Sequence, residues 1–443
     1  MAMLTIGLTI TMAVLDGSVA NIALPSIARE LHATPAQSIW VVNAYQLVVM
    51  VLLLPLSSLG EIIGYARVYR AGIVIFGIAS LACALSDSLT TLVVARVVQG
   101  VGAACIMSVN SALVRFIYPR ASLGRGIGAS ALIVAFASAS GPTLAAAILS
   151  VTSWHWFFAI NVPISIGSIL IASTLPMTSL GGHRFDWISA LVNAITLGGF
   201  VIGVEQLGHG IANIGWAVLC FIIALASGIV LVRRQLYRSA PLLPVDLLRI
   251  PVFALSILTS ISSFCAQSLA FLALPFYFQG ALHRSEVATG LLMTPWPLAL
   301  VFVAPMAGRL ADRYPSGLLG GIGMAVFAAG LVSLALLPAN PLSLDIAWRM
   351  LMAGVGFGLF QSPNNRTMLS SAPPERSGGA SGMLGTARLT GQTLGAALVA
   401  MIFNLSGENA SHRALGVATG LALLAMVLSL CRLTPGGKAS KPV

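Results

Sequence analysis

The 443-residue chain is 58% hydrophobic and 8% charged, with a mean hydropathy of +0.96, and so lacks the charge to cover a soluble surface of its size. Its net charge of +11 does not point to nucleic acid, because the bases fall in short loops rather than along a stripe. What remains is an all-α polytopic membrane protein.

Apolar runs of about 17–27 residues, each able to cross a ~30 Å hydrocarbon core, fall at 3–27, 38–60, 70–86, 89–112, 124–149, 156–175, 187–206, 214–232, 252–278, 288–308, 317–337, 344–364, 379–403 and 414–431. That makes fourteen predicted spans. The first run is too long for a signal-peptide core and lacks a basic leader, so the chain enters the membrane at once or starts further upstream. With the N-terminus inside, the outer loops hold three of the 23 bases (Arg29, Arg284, Arg413), and Arg96, Arg349 and Arg388 lie within spans. The others, Arg120, Arg184, Arg238, Arg376, Arg432, Lys438 and Lys441 among them, fall in inner loops and the tail. This asymmetry puts both termini in the cytoplasm.

Span 1 carries Asp16, the only ionisable side chain between Met1 and Pro25. A carboxylate at mid-membrane costs roughly 2.5–3.5 kcal/mol on insertion scales, so it needs a partner or a function. Arg96 of span 4 lies at a similar depth. Pairing favours the ionised acid and isolation favours the protonated one, so the two form a candidate proton-coupling site. The alternative is a fixed structural bond at a cavity wall. After span 2 come Glu61 and Arg67, and after span 10 come Asp312 and Arg313. Both sets are candidate gating clusters or plain inner anchors. Gly141–Pro142 interrupts the hydrogen-bond ladder of span 5 and is a candidate flexing point. The candidate substrate contacts are Asp16, Gln46, Asn110, Gln267, Trp296, Gln361, Arg388 and Gln392. Asp345 and Arg349, four residues apart, read as a local pair.

A shift of 254 residues aligns Gly100 and Gly102 with Gly354 and Gly356, Asn110 with Asn364, and Gly124, Gly128 and Gly141 with Gly378, Gly382 and Gly395. The loops "SSLGEIIGYAR" (57–67) and "GRLADRYPSG" (308–317) correspond at a slightly different offset. Two six-helix halves follow, residues 1–176 and 252–431, with two inserted helices at 187–232 and a cytoplasmic tail at 432–443. Paired repeats of this kind suit alternating access.

"LDGSVANIALP" (15–25), "ARVVQGVGAA" (95–104), "GPTLAAAI" (141–148), "SWHWFFAINVP" (153–163), "LPFYFQ" (274–279), "FGLFQSPNN" (357–365) and "RSGGASGMLGTARLTGQ" (376–392) together resemble the major facilitator superfamily, specifically its fourteen-helix drug:proton antiporter family. The resemblance implies a proton-coupled exporter of lipophilic cationic or neutral compounds, a monomer in the bacterial inner membrane. Its partners are protons, a small-molecule substrate and lipid. The chain departs from the family in Glu61, where an Asp is usual, and in the absence of acids from spans 10 and 13. That absence leaves open a second reading, export of an endogenous and anionic metabolite. No HExxH, GxSxG or His/Cys metal cluster occurs, and with lysine confined to Lys438 and Lys441 there is no phosphate-cradling GxxxxGK[ST] loop. No metal, cofactor or enzymatic chemistry is expected.

Overall fold

The computed structural model describes residues 2–118, 123–176, 185–207, 213–236, 244–338, 340–373 and 377–433. The predicted inner-loop bases Arg120, Arg184, Arg238 and Arg376, and the tail with Lys438 and Lys441, lie outside them. No strand occurs among the described residues. Fourteen helical spans run in chain order: α1 (Ala2–Glu30), α2 (Trp40–Ile63), α3 (Tyr65–Ala84), α4 (Leu89–Ile117), α5 (Leu123–Val151), α6 (His155–Thr174), α7 (Trp187–Leu207), α8 (Ile214–Leu236), α9 (Pro251–Phe276), α10 (Glu286–Leu310), α11 (Ser316–Ala335), α12 (Ser343–Ser371), α13 (Ser377–Ser406) and α14 (Ala410–Cys431). Several outrun their apolar stretch, α4 to Ile117 and α12 to Ser371. In α12 the helix continues into a largely polar stretch (365–371) that hydropathy does not mark, and in α4 it runs on through Arg115.

Local chemistry sets the ends. Ser88 and Thr91 form a capping box that starts α4, the Ser88 hydroxyl accepting from the Thr91 amide at 3.2 Å. Gly64, at φ 98°, lets the chain turn directly from α2 into α3, a conformation costly for any residue with a side chain. The α1 helix is bent by 40° between Ala2–Gly17 and Val19–Glu30, although its only proline is Pro25.

The packing repeats with a shift of eight spans. In the first set α1 lies against α5 and α6, α4 against α2 and α3, and α3 against α6. In the second, α9 lies against α13 and α14, α12 against α10 and α11, and α11 against α14. Glycines make the match close: Gly100 abuts the Tyr45 carbonyl and Gly354 the Trp296 carbonyl. Gly102 likewise presses on the Phe76 backbone and Gly356 on the Phe327 backbone, leaving less than 3.0 Å for a Cβ at each. Tyr45 to Trp296 and Phe76 to Phe327 are each 251 positions apart, which accounts for the different offset of the two loops.

The two sets meet where α5 crosses α10 and where α2 lies along α13. The α7–α8 pair packs on itself, with α7 also against α2 and α13. An even number of spans leaves Ala2 and Leu433, the ends of the described residues, on one side, the terminal side, opposite the far side. Large apolar side chains such as Ile78, Phe136, Leu170 and Phe302, each at least 65% exposed, cover the outside, as a lipid-facing surface requires.

Candidate functional site

Five spans converge on Asp16, which lies immediately before the bend in α1. Arg96 Nη1 donates to Asp16 Oδ2 at 2.5 Å, and Gln99 Nε2 and Asn161 Nδ2 donate to Oδ1 at 2.9 and 3.0 Å. Arg96 and Gln99 stand about one turn apart on α4 and bond each other at 2.6 Å. From α2, the Val41 carbonyl accepts from Arg96 Nε at 2.8 Å, and the Tyr45 ring lies 4.2 Å under the guanidinium. Gln99 also reaches Ser80 of α3 at 2.9 Å.

The side chains of the ion pair are 0% and 1% exposed. Removing two ions from water costs several kcal/mol each, which close geometry and saturated hydrogen bonding must offset. Asp16 meets that condition on both oxygens. Arg96 leaves Nη2 without a partner. The bonds to Asp16 come from α4 and α6, and α2 and α3 hold Arg96 and Gln99 in place around it.

The other predicted contacts do not form one bonded cluster. Gln46, Asn110, Gln267, Gln361, Arg388 and Gln392 are half-buried, and no hydrogen bond joins any two of them among the described residues. Gln46 Oε1, Asn110 Oδ1 and Arg388 Nε are buried without partners. Trp296 is 1% exposed and enclosed by Phe271 and Phe327, with ring centroids 4.8 and 5.3 Å away. Trp296, a candidate substrate contact by sequence, is here a packing block between α9, α10 and α11.

On the terminal side, Arg67 of α3 is exposed and donates to the Ile63 carbonyl at the end of α2 (3.2 Å), and Glu61 is exposed. Asp312 pairs with Arg366 of α12 rather than with its neighbour Arg313, which is exposed. That ion pair stays within the second set of spans. The hydrogen bonds found between the two sets, among the described residues, lie toward the far side. There Ser26 and Arg29 both donate to Glu286 at 2.6 Å, and Thr143 bonds Thr294 at 3.0 Å. Pro142 also belongs to this contact, since its carbonyl and Ala146 press on Gly290 of α10, leaving no room for a Cβ. Asp345 and Arg349 form the expected local pair at 3.1 Å.

Sequence reasoning missed Asn161, which no spacing ties to Asp16, and treated Gln99 only as part of a motif. It also placed Arg432 among the solvated bases of the tail. Arg432 is 6% exposed and donates to Asn364 Oδ1 at 2.8 Å and Ser256 Oγ at 3.0 Å. Burial lowers its guanidinium to about 10. The counterpart at the base of the α7–α8 pair is Asp186. Burial raises its carboxyl, but hydrogen bonds from Arg234 (2.9 Å) and Ser189 outweigh this and bring it down to about 2.

Apolar helices long enough to span a membrane, packed in two sets with matching neighbours and a buried ion pair in the first, define the class, a polytopic helical membrane protein. The model of the Major Facilitator Superfamily matches residues 6–396, so the chain belongs to that superfamily of transporters and is not an enzyme. It is 55% identical to the uncharacterized transporter YebQ of Escherichia coli (strain K12), over 98% of this chain and 95% of that one. It is 30% identical to the riboflavin transporter RibZ of Clostridioides difficile (strain 630), over 88% of this chain and 85% of RibZ. Its fold is similar to that of a bacterial homologue of the human lysosomal transporter Spinster, solved inward-facing and unoccupied. The TM-score is 0.70 at 14% identity, covering 100% of this chain and 98% of that one.

Proposed function

We propose that the chain is a proton-coupled secondary exporter working by alternating access, with Asp16 and Arg96 as the coupling pair. The observation that carries this reading is the fully enclosed Asp16–Arg96 bond beside the bend of α1. In the closed arrangement Arg96, Gln99 and Asn161 hold Asp16 ionised. Straightening or rotation of α1 parts the acid from Arg96, admits water, and lets a proton bind. Return to the closed arrangement releases it.

Residues 1–176 and 252–431 act as the two rocking halves, and 187–232 braces α2 and α13. Both termini face the cytoplasm of a bacterial inner membrane, as the bias of bases suggests. The protein works as a monomer, and the ties at Glu286 and around Pro142 then close the outer side. On the inner side Glu61, Arg67 and Arg313 are exposed and Asp312 is paired with Arg366, and in the opposite state these groups draw the halves together. Resemblance to drug:proton antiporters supports lipophilic cationic or neutral compounds as cargo. The second reading, an endogenous and anionic metabolite, is favoured by one observation: Arg388 lies in a half whose α10 and α13 carry no acid except Glu286 at the rim.

A growth screen in a host stripped of its own pumps tests the export claim. Expression is expected to protect against at least one lipophilic toxic compound, and Asp16→Asn, present in the membrane at equal level, to remove the protection. Protection retained by Asp16→Asn would contradict the coupling role.

A further inference from the structure

α13 touches both halves at once. On one face Gly391 and Gly395 press on α9 at Ile261 and Cys265; on another Gly385 and Gly382 meet Leu53 and Leu54 of α2. At about 100° per residue, Arg388 and Gln392 stand on the arc between these faces, looking into the crevice where the halves meet. The antiparallel register that pairs Gly382 with Leu54 and Gly385 with Leu53 brings Gln392 level with Gln46 of α2. Asn43, one turn beyond Gln46, shares its face.

The seam is lined with polar atoms that bond nothing. Asn43 is 1% exposed and neither its Oδ1 nor its Nδ2 has a partner; Thr393 is 0% exposed with its hydroxyl unpaired. Gln46 Oε1 and Arg388 Nε are likewise buried and unpaired. Buried polar groups are paired as a rule, so a run of orphans along one seam calls for a ligand. The charge on offer is positive. No acid lies in α9 or α13, the single acid of α2 is exposed Glu61, Asp16 is already held by Arg96, Gln99 and Asn161, and the buried Glu205 of α7 is taken up by Trp40 at the far end of α2.

Resting on the exporter reading above, we propose that the α2–α13 seam is the cargo site and that it selects an organic carboxylate. The carboxylate docks on the Arg388 fork, and Asn43, Gln46 and Gln392 take the remaining polar groups of the molecule. A lipophilic cation meets an uncompensated guanidinium there and is disfavoured.

Two dyes sharing a xanthene ring separate the cases: fluorescein, a carboxylate, and rhodamine 6G, whose carboxyl is esterified and whose ring is cationic. Binding to the purified full-length protein in nanodiscs is read by fluorescence anisotropy. Fluorescein is expected to bind more tightly than rhodamine 6G, and Arg388→Ala to weaken it by at least about tenfold. Arg388→Lys, which keeps the charge and loses the fork, should recover part of that loss while remaining equally monodisperse. Preference for rhodamine 6G, no binding of fluorescein, or an unchanged affinity in a folded Arg388→Ala each overturns the proposal. Proton-driven export of rhodamine 6G that Asp16→Asn abolishes would leave the exporter reading standing while this one falls. Fluorescein binding lost with Arg388→Ala but never coupled to a proton gradient would do the reverse.

Discussion

The two halves share a backbone plan and differ in what it encloses. The turn of α4 that bears Arg96 and Gln99 corresponds, 254 residues on, to Met350 and Ala353 of α12, both fully buried. Tyr45, under the guanidinium in the first half, corresponds to Trp296 in the second. There Trp296 joins Phe271, Phe327, Phe357 and Phe360 in a chain of edge-to-face contacts with centroids 4.8–5.9 Å apart. Glycines that bring neighbouring helices together are retained in both copies, since any Cβ there would collide with backbone. The interior between them was free to diverge. An ion pair with neutral supports has two protonation states and can respond to a proton; an aromatic stack has one packing and cannot. On the proposed function, the first half would carry the switch and the second would give it a rigid body to work against.

That contrast is broken most severely by leaving one ion of the pair alone. Asp16→Ala buries Arg96 without its acid and should cost about 3–5 kcal/mol, read as a lowered melting temperature in detergent. The double variant Asp16→Ala/Arg96→Met, imitating the second half, should recover most of that stability and none of the proton-coupled transport. In the second half, Phe357→Ala removes the ring shared by Phe264, Phe327 and Phe360 and should destabilise by about 3–5 kcal/mol, with the pH profile of residual transport unmoved. A shifted profile would mean that the aromatic body also senses protons.

Asn161→Ala deletes one neutral donor to Asp16 and should cost about 1–3 kcal/mol, read as a lowered melting temperature in detergent, with the Arg96 and Gln99 bonds to Asp16 left in place. The smallest effect is expected at the α7–α8 pair. Asp186 is depressed to about 2 in the folded chain, against an ordinary value of 3.8. Its contribution is therefore fully present above the ordinary value and lost only as pH falls through about 2. With both partners partly exposed the pair is worth about 0–1 kcal/mol. Asp186→Asn should lower the melting temperature slightly at neutral pH, by a difference that shrinks as the pH approaches 2 and vanishes below it.

Hydropathy alone made the fourteen spans legible, because a ~30 Å apolar slab imposes a minimum length that few other folds meet. It could not find the bend of α1, which falls at Gly17–Ser18 rather than at Pro25, the residue that advertises a kink. Depth along two helices was enough to match Asp16 with Arg96. Asn161 was out of reach, since it arrives from a helix whose sequence shows only aromatic packing residues before it. Arg432 was misread because a base just past an apolar run looks solvated; only the fold places Asn364 and Ser256 around it. Asp312 similarly pairs across helices with Arg366, and sequence proximity to Arg313 gave no hint of this.

The central claim, that proton traffic runs through Asp16, is tested most directly in proteoliposomes holding a dye substrate identified by the growth screen. Imposing a pH gradient should drive transport by the wild-type protein. It should drive none by Asp16→Asn, while substrate moving down its own gradient still exchanges through the variant. Gradient-driven transport at an unchanged rate in Asp16→Asn would contradict the account.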